Sequence, residues 1–95
     1  MTEQPIDITR LETAQLLFPS GDVLERKVER RKRSKRIHAA TYLGNIKHEK
    51  VTIVFRTEHE IFQVQTTIWL HYGGCIYLKG DVTIPVERVI SVEWA

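Results

Sequence analysis

The sequence is poor in the residues that announce chemistry. Its 95 residues include one cysteine, three prolines and five glycines. A lone Cys75 cannot form an internal disulfide, which excludes a disulfide-stapled secreted scaffold and points to a reducing, cytoplasmic setting. No apolar run approaches the roughly 20 residues that span a bilayer, so no membrane anchor is expected. The first ten residues carry Glu3, Pro5 and Asp7 in place of a basic stretch followed by an apolar one, which is not the pattern of a secretory signal.

Catalytic signatures are equally scarce. Gly73-Gly74 has neither a following helix nor a Lys-Ser/Thr pair, so it reads as a hairpin and not as a phosphate cradle. His38, His48, His59 and His71 with Cys75 lack the spacing of Cys-x-x-Cys or His-Glu-x-x-His, so no metal is expected. Nothing places two carboxylates across one pocket for acid and base work. These absences predict a non-catalytic protein that needs no cofactor.

Charge is where the sequence becomes specific. Between Arg26 and Arg36 stand eight basic residues (Arg26, Lys27, Arg30, Arg31, Lys32, Arg33, Lys35 and Arg36) and one acid, Glu29, a net of +7. The rest of the chain carries six basic and eleven acidic residues, a net of −5. A basic segment on a mildly acidic body is the asymmetry expected of a protein with an anionic partner, nucleic acid being the commonest. Arginine offers a planar fork that matches phosphate oxygens and lysine a mobile point charge.

Patterning divides the chain near Ile37 into an N-terminal helix with a basic arm (1–36) and a β domain (37–95). Thr9 and Glu12 form a capping-box pair, predicting a helix over Arg10 to Leu17 that Pro19, Ser20 and Gly21 end. Asp22 and Glu25 suggest a second short helix through Val28. From Glu29 to Arg36 no apolar residue appears, so that stretch reads as an extended arm.

Strands follow: Ile37 to Leu43, closed by Gly44-Asn45, then Lys50 to Arg56. Glu60 to Tyr72 is long enough to bend between two faces, with Phe62, Val64, Thr66, Ile68, Leu70 and Tyr72 on one side. Cys75 to Lys79 and Val82 to Ile84 flank a Gly80-Asp81 hairpin. Pro85 to Arg88 reads as one helical turn before a last strand, Ile90 to Trp94. So many short strands in about 60 residues predict a small, bent antiparallel barrel of five to six strands. The order of elements resembles the Sm-like small barrel.

At Ala40-Thr41-Tyr42-Leu43-Gly44-Asn45, Thr66-Thr67-Ile68-Trp69 and Leu78-Lys79-Gly80-Asp81-Val82-Thr83-Ile84-Pro85-Val86-Glu87-Arg88-Val89, the chain resembles a family of small bacterial proteins of uncharacterised function. That resemblance covers the last two-thirds of the chain and implies no activity, cofactor or catalytic residue.

The resulting expectation is a nucleic-acid-binding module, RNA favoured, whose eight basic residues lie along phosphates. Trp69 and His71 sit on the polar side of the long strand, where Trp69 offers a base-stacking platform unless the N-terminal helix covers it. Tyr42, Phe55, Phe62, Tyr72 and Tyr77 read as core or cross-strand aromatics, and Trp94 as closing the barrel. The alternative is a protein-interaction or self-assembling structural module, with the basic arm on an acidic partner or on the protein's own acidic body and an uncovered strand edge open to self-association.

Overall fold

The computed structural model describes residues 4–94. In chain order the elements are β1 (Ile6–Asp7), α1 (Arg10–Thr13), α2 (Lys27–Lys47), β2 (Val51–Arg56), β3 (Ile61–Thr66), β4 (Ile68–Tyr72), β5 (Cys75–Leu78), β6 (Val82–Pro85), a 3-10 turn (Val86–Arg88) and β7 (Val89–Trp94). The molecule is mainly β. Its strands pair as two sheets, β1-β3-β2-β7 and β4-β5-β6, and do not close into a barrel.

Alternation explains the first sheet. In β2, Val51, Ile53 and Phe55 are buried while Thr52, Val54 and Arg56 are half-buried, the period-2 signature of a strand with one face in the core. It pairs antiparallel with β3 from Val51 opposite Thr66 to Arg56 opposite Ile61. On its other side lies β7, whose register shifts at Val54/Phe55. The two-residue β1 adds a parallel edge beside Phe62 and Gln63, an element the polar N-terminus did not signal.

The long strand bends as expected. Thr66, Thr67 and Ile68 are buried in succession, so alternation breaks at the point where the chain leaves one sheet for the other. Beyond that point β4 shifts register against β5 between Ile68 and Leu70. Leu70 and Tyr72, read on the same face as Phe62, Val64 and Ile68, consequently stand 50% and 72% exposed, Tyr72 opposite Cys75 across the strands. Two glycine-containing hairpins complete the second sheet. Gly73 and Gly74 both take positive φ, as do Gly80 and Asp81, the backbone that type I′ turns require.

The helical segments depart most from expectation. Residues 37–43 form no strand, and residues 29–36 form no extended arm. Both belong to α2, 21 residues long, so the division expected at Ile37 falls inside one continuous helix. The stripe α2 buries is Arg33, Ile37, Ala40 and Gly44, spaced four, three and four residues apart. An arginine occupies the first position of that stripe, so apolar residues alone do not show its helical period.

Gly44 ends no strand. It is a close-packing residue, because a Cβ there would lie 2.5 Å from the Ile68 carbonyl oxygen and 2.8 Å from Thr67 Cγ2. Asp22 does not cap a helix through Val28 either. Its carboxylate accepts the Leu24 amide at 2.8 Å in a turn, and α2 begins later, after Arg26.

The same helix seals the gap between the sheets. Where β7 and β4 have no strand partner, side chains of α2 take up their carbonyls. Arg33 donates to Val89 O at 3.0 Å, Arg36 to Val92 O at 3.1 Å and Asn45 to Trp69 O at 2.9 Å. Edge strands left bare recruit other strands, so this capping removes a liability.

At the N-terminus the Thr9–Glu12 capping box forms, yet α1 is a single turn. Leu11 and Leu17 are 81% and 89% exposed. Leu16 and Phe18 dock the segment on the core instead, Phe18 against Phe55 with ring centroids 5.8 Å apart. Arg88, also buried, donates to Arg56 O, Thr57 O and Gly21 O at 2.9–3.1 Å and ties this leader to the β2–β3 turn.

Candidate nucleic-acid interface

Folding the basic segment into a helix sorts its eight cations by direction. Arg33 points inward and is 6% exposed. Its guanidinium grips Asp22 with two parallel bonds, Nη1 to Oδ1 at 2.8 Å and Nη2 to Oδ2 at 2.7 Å. The Arg33 hydrogen bond, with help from the Leu24 amide and the Arg30 charge, holds the Asp22 carboxyl below its usual pKa against the opposing cost of burial.

Arg30 flanks the same carboxylate at 3.4 Å and donates through Nε to Leu24 O at 2.6 Å. Arg36 is spent on β7, and Arg26 lies 3.9 Å from Glu29. Arg33 is therefore a structural residue, and Arg30 and Arg36 are partly so.

Lys27, Arg31, Lys32 and Lys35 are different. All four are exposed, and none makes an ion pair or a side-chain hydrogen bond among the described residues. At 100° per residue, Lys27, Arg31 and Lys35 follow one outward ridge of α2 and Lys32 flanks it. Tyr42 continues that ridge toward the C-terminus and is 63% exposed on a helix, so it is neither the core nor the cross-strand aromatic expected. Cations near a helix start oppose the positive end of the helix dipole, and a bound anion would relieve both.

Trp69 and His71 lie apart from this ridge. Trp69 is half-buried in a hollow that Arg10 of α1 also lines. Its indole meets the His48 imidazole edge-to-face, centroids 5.5 Å apart and planes at 77°. His48 is the residue that ends α2, in the left-handed conformation at φ 54°. His71 is exposed on β4 opposite Ile76 and does not join the Trp69 cluster.

Around Trp69 the fold also gathers Arg10, Lys50 and Lys79, residues that the sequence reading did not single out. They come from three separate segments, and no local spacing could have announced them. Among the described residues, no three His, Cys, Asp or Glu side chains group as a metal site, and no helix is long and apolar enough to cross a membrane. No family model, no curated protein and no solved structure matches the chain.

Proposed function

We propose that the protein is a non-catalytic nucleic-acid-binding module, RNA favoured, in which the outward ridge of α2 lies along phosphates. One observation carries the reading: Lys27, Arg31, Lys32 and Lys35 are exposed, close together on a preformed helix and without an ion pair among the described residues. Phosphate contacts position a strand without reading its sequence, which suits such a ridge. Because the helix is already folded, binding avoids the ordering cost that an extended arm would incur.

The preference for RNA rests on analogy of element order: a helix, a strand, a bent strand, a hairpin, a 3-10 turn and a last strand, as in Sm-like proteins. The same order and the Thr66–Trp69 and Leu78–Val89 segments support kinship with the small bacterial proteins that the sequence resembles.

Four phosphate contacts on a single strand imply a log–log salt slope of about −3. Anisotropy of labelled single-stranded RNA and duplex DNA at two salt concentrations tests the reading, with Arg31→Gln, Lys32→Gln and Lys35→Gln combined as the control. Salt-sensitive binding that this variant loses supports it. Absence of binding at low salt overturns it.

A second reading has its own observation. Tyr42 and Ile46 on α2 and Leu70 and Tyr72 on β4 are each at least half exposed, on elements that pack together. Apolar groups so placed suit a protein partner or a second copy of the chain, with the basic ridge facing acidic residues. Light scattering across a concentration series tests self-association.

A further inference from the structure

The concavity beside Trp69 lies at the other end of α2 from the basic ridge, roughly 24 Å along the axis from Lys32 to His48. Its volume is about 360 Å³, within the range of small-ligand sites. Arg10, Lys50 and Lys79 line it together with His48, Gln65 and Trp69, and no acidic residue does. None of the three cations makes an ion pair among the described residues. Arg10 is held in place by Nη1, which donates to Lys79 O at 2.8 Å.

Three like charges around one hollow repel each other, and a bound anion converts that repulsion into attraction. The aromatic wall narrows the choice of anion. Trp69 is half-buried and lines the hollow, so the part of its indole that faces the hollow can meet a flat ring.

We propose that this concavity binds one nucleotide, with its phosphate on Arg10, Lys50 and Lys79 and its base stacked on Trp69. Stacking of this kind tolerates any base, since each has a π face. The nucleotide comes either from a bound strand or from a free 5′-monophosphate. For the strand, the inference rests on the nucleic-acid reading; for the free nucleotide it stands alone.

Tryptophan fluorescence separates these cases. Adenosine 5′-monophosphate and a short unlabelled oligoadenylate are titrated into the wild type, into Trp69→Phe and into the double variant Lys50→Gln/Lys79→Gln. Trp69→Phe isolates the Trp69 signal from that of Trp94. The expected result is quenching by at least one ligand that vanishes in Trp69→Phe and needs about tenfold more ligand in the lysine variant.

Quenching by the oligonucleotide alone assigns the pocket to a strand. Quenching by the monophosphate with no RNA binding keeps the pocket and removes the nucleic-acid reading. Salt-sensitive RNA binding without quenching of Trp69 by either ligand overturns the pocket and leaves the ridge standing.

Discussion

Arg31 and Arg33 are two residues apart on α2, and the fold uses them in opposite ways. Helical geometry sets their side chains about 200° apart, so one meets the sheets and the other meets solvent. Arg33 bridges Asp22 and the free edge of β7, whereas Arg31 makes no ion pair or side-chain hydrogen bond among the described residues. A run of positive charge in a sequence is thus two populations, one that holds the fold and one available to a ligand. Substitutions on each side should separate stability from binding.

The inward side should give the largest effect. Arg33→Ala leaves the Asp22 carboxylate with only Arg30 and the Leu24 amide and frees Val89 O on the β7 edge, which should cost about 3 kcal/mol. For a chain of this size each kcal/mol lowers Tm by about 4–8 °C, so a thermal melt resolves the loss easily. A drop of only a degree or two would mean that Arg33 does not hold the fold.

Acid should act on the same contact. The Asp22 pKa is depressed in the folded state, so its contribution is fully present above the unfolded carboxylate value of about 3.9 and is lost as pH falls through the lower folded value. Wild-type melts should therefore weaken below about pH 4 more steeply than those of Arg33→Ala. Parallel pH profiles would sever Asp22 from Arg33 energetically.

Next in size is the helix seat. Gly44→Ala gains helix propensity but drives a methyl group into the Ile68 carbonyl, and the clash should win by about 1–3 kcal/mol. Urea unfolding measures it. A more stable Gly44→Ala would show that α2 can lift from β4 at little cost.

Much of the β region was legible, because its strands carry period-2 alternation and its hairpins carry glycines whose positive φ the turns require. The 3-10 turn after Pro85 was legible too. The helix was not, and the reasons are local. Arg33 took a core position that hydrophobic periodicity assigns to an aliphatic residue, and Gly44 served close packing where it reads as a turn. Ile37 to Leu43 is short enough that strand and helix patterns overlap, and only the contacts of Arg33, Arg36 and Asn45 with distant strands decide between them. The basic segment was visible from composition alone, but its division into inward and outward cations depends on helical phase. The Trp69 hollow lay beyond any sequence window, since Arg10, Lys50 and Lys79 meet only after β4 crosses between sheets.

The outward side should show the smallest effect on stability and the clearest effect on binding. Arg31→Gln/Lys35→Gln removes two exposed charges that make no ion pair or side-chain hydrogen bond among the described residues, so unfolding should stay within about 0.5 kcal/mol of wild type. It also lessens like-charge repulsion near the positive end of the helix dipole, which biases any change toward added stability. Binding should respond differently. Each lost phosphate contact lowers the single-strand salt slope by about 0.7, so anisotropy titrations should read a slope shallower by about 1.4. An unchanged slope would show that the strand avoids the outward ridge, and a large loss of stability would show that these cations also hold the fold. Either result would erase the distinction between Arg31 and Arg33.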